Sequence, residues 1–177
     1  MKTFFIADHH FGHENIIKYE DRPFESVEEM DSYMIERWNR VVKKGDKVFV
    51  LGDFSIYGKE KTREIVDQLN GYKILIMGNH DKGRTLTWWK ERGFLRVIEY
   101  PIIFNEFYML SHEPLYVNDK MPYLNIHGHI HGRVIEGNYF NVGVERIHYT
   151  PITLEEIKEK MNIPIKLKEI KEKMNIQ

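Results

Sequence analysis

Five short clusters of oxygen- and nitrogen-bearing side chains punctuate the chain: Asp8-His9-His10, Gly52-Asp53, Gly78-Asn79-His80-Asp81, Ser111-His112 and Gly128-His129-Ile130-His131. Carboxylate, amide and imidazole groups are hard and borderline metal ligands, so their recurrence points to a polynuclear metal site. The chain has no cysteine, which removes thiolate ligands, disulfides and a cysteine nucleophile together. Any transition metal must then be held by nitrogen and oxygen. Single elements of the set carry little weight, because a Gly-Asp pair is ordinarily a turn and a histidine at a strand end is ordinarily structural. The order and company of all five carry the signal.

Each cluster follows an apolar run. Lys2–Ala7, Lys47–Leu51, Lys73–Met77, Phe107–Leu110 and Leu124–His127 are continuous rather than alternating hydrophobic stretches, which predicts strands buried on both faces. The clusters then fall on loops along one sheet edge. Ser26-Val27-Glu28-Glu29 fits a capping box, and Val27, Met30, Met34, Trp38 and Val41 recur at helical spacing, so an amphipathic helix is expected to end near Lys44-Gly45. Further helices are expected over Lys59–Leu69 and Thr85–Arg92, each stopped by a following glycine. From Arg96 onward strands dominate, with a hairpin expected where Glu136-Gly137-Asn138 separates Val134-Ile135 from Tyr139–Val142. The pattern begins as α/β and becomes mainly β.

The five blocks resemble, in order, the signature of the calcineurin-like metallophosphoesterase superfamily: D-x-H, G-D, G-N-H-D/E, H and G-H-x-H. That resemblance covers most of the chain and implies an α/β fold, a four-layer α/β/β/α sandwich with two mixed sheets and the metal site on loops at the strand C-terminal edge. It implies that Asp8, His10, Asp53 and His131 hold one ion and that Asn79, His112 and His129, with Asp53 as the bridging carboxylate, hold a second. A carboxylate suits that place, since its two oxygens and full charge offset the repulsion of cations roughly 3.5–4 Å apart. Mn²⁺ is the first expectation for the two divalent transition-metal ions, with Fe²⁺, Zn²⁺, Ni²⁺ and Co²⁺ open. A water bridging two such ions would supply hydroxide near neutral pH for in-line attack on phosphorus. By the same resemblance His80 approaches the leaving-group side, as a general acid or as a donor to the developing negative charge, and Asp81 orients it.

Within the family the chain looks most like the small prokaryotic and phage phosphodiesterases. It lacks the Asp-Arg and Arg-Gly-Asn-His-Glu elements of the protein phosphatases, since Gly52-Asp53 runs into Phe54-Ser55-Ile56-Tyr57-Gly58 and Met77 precedes Gly78-Asn79-His80-Asp81. The DHH phosphoesterases carry their triplet after earlier aspartate motifs, for which residues 1–7 leave no room. A phosphodiesterase is therefore expected, with a phosphomonoesterase or a nuclease on small nucleotide substrates as the alternative. A non-catalytic scaffold, like the retromer subunit that resembles this family, is disfavoured by the presence of His80.

Outside the motif, His9 and His127 should point away from the ligand side and serve the core or support the ligands from behind. His13, just beyond the first block, is a candidate for substrate contact, as are Arg22 and Arg133; Arg84 and Arg146 are further guanidinium candidates for a second phosphate. Asn141 is expected to support the site, and most of Phe11, Phe54, Tyr57 and Tyr116 to be core rather than a substrate wall.

With 26 basic against 27 acidic residues and a net charge of −1, the chain carries no broad basic surface for long nucleic acid. A small phosphodiester or nucleotide-like partner is expected. The Phe4–Ala7 run is too short for a signal peptide or membrane span, which predicts a cytoplasmic protein without membrane contact. Residues 154–163 recur, with one change, as 167–176, so the domain is read as 1–163, followed by a helical extension over 164–177. Thr153 and Glu156 should cap the first copy. The second copy is read as a surface appendage, or alternatively as a route to a homo-oligomer.

Overall fold

The apolar runs form strands because each supplies enough β-branched and aromatic residues to be covered on both faces. The computed structural model describes residues 1–118 and 120–161. In it β1 (Thr3–Ile6), β2 (Lys47–Leu51), β3 (Tyr72–Ile76) and β4 (Arg96–Ile98) lie parallel, with β9 (Ile152–Thr153) antiparallel at the outer side of β1. A second sheet orders β5 (Ile102–Phe104), β6 (Tyr108–Leu110), β7 (Leu124–His127) and β8 (Tyr139–Asn141), with β5 antiparallel to β6 and the rest parallel. The chain is thus α/β with two mixed sheets. Phe5 stacks on Phe49 with centroids 5.6 Å apart, and Phe104 of the second sheet meets them edge-on at 5.9 and 5.2 Å, so the two sheets share one core.

Helices α1 (Glu14–Tyr19), α2 (Val27–Val41), α3 (Lys59–Gln68) and α4 (Leu86–Lys90) lie between the strands of the first sheet. Met30, Met34 and Trp38 form the buried stripe of α2, while Ser26 caps it by accepting from the Glu29 amide. Trp38 also donates from Nε1 to the Asn70 carbonyl at 2.9 Å, which ties α2 to the turn entering β3. Lys73 of β3 is buried and caps the end of α3, its Nζ donating to the Val66 and Leu69 carbonyls at 3.0 and 2.6 Å. These contacts fix the helices against the sheet without entering the site. Helix α5 (Leu154–Lys160) begins with the expected capping box of Thr153 and Glu156.

The second copy of the C-terminal repeat, and with it the domain boundary and any oligomer contact built on it, lies outside the described residues. The expected hairpin does not form. Val134 is 64% exposed, and Tyr139–Asn141 pairs parallel with Asn125–His127 instead. The loop between β7 and β8 is therefore a crossover joining two parallel neighbours, a connection that needs far more chain than a two-residue turn. Among the described residues no helix is long and apolar enough to cross a membrane.

Candidate metal centre

Each of the five clusters begins where a parallel strand ends: after β1, β2 and β3 in one sheet and after β6 and β7 in the other. The two edges are stitched together where Ala7 donates to the Val142 carbonyl at 2.9 Å and accepts from Val144 at 3.1 Å. The first loop then runs beside the second, with the Asp8 amide on the Gly52 carbonyl and the His10 amide on the Asp53 carbonyl, at 3.1 and 3.0 Å. Among the described residues ten non-glycine residues adopt positive φ, and five of them are Asp8, His10, Asp53, His129 and His131. Left-handed backbone costs such residues roughly 1–2 kcal/mol each. Strain gathered on metal-ligand types marks a functional site. Glycine makes the approach possible: Gly52 has φ +87, and a Cβ there would overlap the His112 ring, while one on Gly78 would strike the Asp53 carboxylate.

The seven expected ligands fall into two groups. Asp8, His10 and His131 offer ligand atoms all within 4.8 Å of one another, and so do Asp53, His112 and His129. Asn79 joins the second group, its Oδ1 standing 2.9 Å from His112 Nε2 and 3.1 Å from His129 Nδ1. Asp53 Oδ2 lies between the groups, 3.5 Å from His10 Nε2 and 3.4 Å from His112 Nε2. Asp53 Oδ2 is therefore within reach of both groups, as a bridging carboxylate would have to be.

The chemistry of these donors fits cations. His112 Nδ1 faces the Leu51 carbonyl at 2.8 Å and donates to it, which turns the lone pair on Nε2 toward Asn79 Oδ1, His129 Nδ1 and Asp53 Oδ2. Lone pairs converging on one point need a shared positive charge. On the other side, His10 Nε2 is buried with no hydrogen-bond partner. Burial keeps the His10 imidazole neutral, its pKa pushed down to about 3, and also lowers that of His129. Burial pushes Asp8 up to about 7, against the pull of His112 and His131. Burial would raise Asp53 too, but the hydrogen bond and charge of His112, with His10 and the His80 amide, hold it down to about 2. The same carboxylates lift His112 to about 9 against its burial. Neutral His10 and His129 and ionised Asp53 already have the forms that ligate divalent metals, and a cation bound beside His112 would displace the proton that the carboxylates hold on it.

The model of the calcineurin-like phosphoesterase family matches residues 1–171. The chain belongs to that family. Its members are metal-dependent phosphoesterases, and the two side-chain groups are where such ions would be held. An uncharacterized protein of Methanocaldococcus jannaschii is 40% identical over 172 residues, which span 88% of this chain and 89% of that one. The Gene 66 protein of Mycobacterium phage D29 is 27% identical, with 90% and 96% of the two chains covered. The crystal structure of a protein of unknown function from Aquifex aeolicus superposes with a TM-score of 0.69 at 28% identity, covering 89% of this chain and 98% of that chain. These relatives place the chain among small calcineurin-like phosphoesterases.

Beside the centre, His80 has a half-exposed ring 5.1 Å from that of His10, with Nε2 4.0 Å from Asp53 Oδ2 and its amide donating to Asp53 Oδ1 at 3.0 Å. It is open to an incoming ligand. Asp81 corrects the expectation that it orients the His80 ring. Fully buried, it accepts from the amides of Asp53, Gly78 and Phe54 at 2.7, 2.8 and 3.1 Å, and so clamps the backbone of the Gly-Asp loop. His13 is half-buried, 5.6 Å from the His10 ring, and shares the rim of the site.

Arg22 is a second correction. Its side chain is buried, not turned to substrate, and donates to Glu145 and to the carbonyls of Asp8 and His9. Arg84 likewise gives its guanidinium to the carbonyls of Ser55, Ile56 and Tyr57. Arg133 is exposed on the loop after the last histidine block, and Arg146 lines a separate cavity of about 470 Å³ with His127 and Lys160. Asn141 ties that histidine loop in place, donating to the His131 and Arg133 carbonyls at 2.7 and 3.0 Å. His9 stacks on Phe11 at 5.1 Å in the core, and His127 is buried, as expected for both. Phe11 and Phe54 are core as well, whereas Tyr116 is exposed. The residue missed in the sequence is Glu145, whose Oε1 lies 3.1 Å from His131 Nδ1. It stands 14 residues past His131, and a lone glutamate in a loop gives no local sign of such a role.

Proposed function

We propose that this chain is a metal-dependent phosphodiesterase acting on small phosphodiester or nucleotide-like substrates, with weaker monoesterase activity. The observation that carries the reading is Asp53 Oδ2, which stands within 3.5 Å of a ligand nitrogen on either side. Two divalent ions held there, Mn²⁺ by preference, would neutralise phosphoryl oxygens and make a water nucleophilic near neutral pH. Asp53 supplies the negative charge that both positions share. Asp8 accepts from the His129 amide through both oxygens, at 3.1 and 2.9 Å, and so holds the last ligand loop against the first.

His80 is the general acid. Its ring is half-exposed beside Asp53 and can give a proton to the oxygen leaving phosphorus as the P–O bond breaks. Diester preference is supported by where the guanidiniums go. A monoester carries an additional negative charge, and Arg22 and Arg84, which would bind it bidentately, are spent on carbonyls and Glu145. A cleft of about 130 Å³ beside His112, lined by Met77, Lys82, Tyr100 and Leu115, leaves room for part of a leaving group. Enclosing ligand sites run to roughly 300–1,000 Å³, so this open site should admit a broad set of diesters in vitro.

The test is hydrolysis of bis-p-nitrophenyl phosphate against p-nitrophenyl phosphate by metal-stripped protein reloaded with Mn²⁺. The reading expects faster diester cleavage that needs metal. His80→Ala should lose about 10²–10⁴ in rate while keeping its metal, whereas Asp53→Asn should lose metal and rate together. Preferred cleavage of the monoester would overturn the diester reading, and absence of turnover with both ions bound would point to a narrow natural substrate or to the scaffold alternative.

A further inference from the structure

We infer that Arg22 and Glu145 form a positioning pair that sets the affinity of one of the two metal positions, the one made by Asp8, His10 and His131. The inference rests on the metal centre proposed above and assigns a task to two residues that hold no ion themselves.

The pair is unusual in how its donors are divided. Glu145 Oε1 takes all of them: Arg22 Nε at 2.9 Å, Arg22 Nη2 at 2.6 Å and His131 Nδ1 at 3.1 Å. Glu145 Oε2 is buried with no hydrogen-bond partner. An ion pair serving only to join two segments gains most from the two-oxygen fork of guanidinium and carboxylate. Here one oxygen is instead shared between the guanidinium and a ligand imidazole. Donation from Nδ1 to Glu145 fixes the tautomer of His131 and leaves the lone pair on Nε2, the form a metal requires.

Arg22 also donates to the other ligand loop, besides a contact of Nη1 with Met30 Sδ at 3.3 Å. Nη2 donates to the Asp8 carbonyl at 2.8 Å and Nη1 to the His9 carbonyl at 2.9 Å. Those carbonyls belong to the stretch in which Asp8 and His10 are held at φ 61 and 52, backbone that needs outside support. One buried guanidinium thus braces the peptide groups that aim Asp8 and His10, and through Glu145 it braces the ring of His131. The hydrogen bonds of the pair reach ligands of this position and none of Asn79, His112 or His129, which make the other. A buried ion pair is a poor way to add stability alone, because well-packed apolar residues do as well. Orientation of ligands is a task that apolar residues cannot perform.

The experiment is a calorimetric Mn²⁺ titration of the metal-stripped protein, supported by the Mn²⁺ spectrum in electron paramagnetic resonance. Wild type should bind two ions. Glu145→Gln, close in shape and neutral, should weaken one ion about 10–100-fold, the range typical of residues that orient ligands without touching the metal, and leave the other within twofold. Arg22→Lys should do the same, since an ammonium cannot reach Glu145 and both carbonyls at once. In a His10→Ala background the Glu145→Gln effect should vanish, and in a His129→Ala background it should persist. Two ions of unchanged affinity in Glu145→Gln, even with a lowered melting temperature, would overturn the inference and leave the metal centre standing. Equal weakening of both ions would overturn its selectivity, and no Mn²⁺ binding by wild type would overturn the centre itself.

Discussion

At the scale of single residues, the side chains that cluster at the site are legible in the sequence and their supports are not. Asp8, His10, Asp53, Asn79, His112, His129 and His131 announce themselves because each sits one to four residues past an apolar run. Arg22 and Glu145 are 123 positions apart, and nothing near either one in sequence indicates the other. Asp81 is legible by type but not in role: its carboxylate serves three backbone amides rather than the His80 ring. Asp81→Asn keeps the shape but turns an NH₂ toward N–H donors. It is expected to cost about 1–3 kcal/mol in urea unfolding, and to lower activity by releasing the Asp53 loop. Asp31 offers a test with a pH signature. Burial pushes its pKa up to about 6, against hydrogen bonds from Tyr57 and the Gly12 amide. The folded state therefore disfavours the carboxylate, at no cost below the ordinary value of 3.8 and at full cost above about 6. Asp31→Asn should be more stable than wild type at pH 7 by roughly 1–3 kcal/mol, with the gain fading toward pH 4. A difference that stays constant across that range would show that burial of the charge is not its source.

At the scale of elements, the buried parallel strands could be read because continuous apolar runs leave few alternatives, and α2 because its stripe and cap agree. The hairpin could not. Glu136-Gly137-Asn138 is a good turn sequence, but Tyr139–Asn141 gains a parallel partner in β7, and tertiary pairing outweighs a local turn. Strand β9, of two residues, and α1, of six, are too short for periodicity to reveal. Trp38 is the main anchor of α2, fully buried and bonded to Asn70, so Trp38→Ala should destabilise by about 3–5 kcal/mol. At the end of β2, Gly52→Ala meets both a positive φ and the His112 ring. That variant should lose at least about 1 kcal/mol of stability, and it should lose metal affinity at the Asn79, His112 and His129 position in a calorimetric titration. Unaltered affinity would show that His112 can move aside without harm.

At the scale of the molecule, one centre is assembled from the carboxyl edges of two sheets, and neither sheet holds a complete ligand set. Asp8, His10 and Asp53 come from one sheet, while His112, His129 and His131 come from the other. Ions bound there join the sheets and stabilise the folded state by mass action, about 2.7 kcal/mol per site at a hundredfold excess over Kd. Chelation should lower the melting temperature in calorimetry while leaving the far-ultraviolet circular dichroism intact at 25 °C, because the shared Phe5, Phe49 and Phe104 core does not depend on metal. The central claim is that Asp53 stands between two cations. Anomalous diffraction from crystals grown with Mn²⁺ should show two peaks roughly 3.5–4 Å apart with Asp53 Oδ2 between them; a single peak, or two that do not share Asp53, would rule that arrangement out.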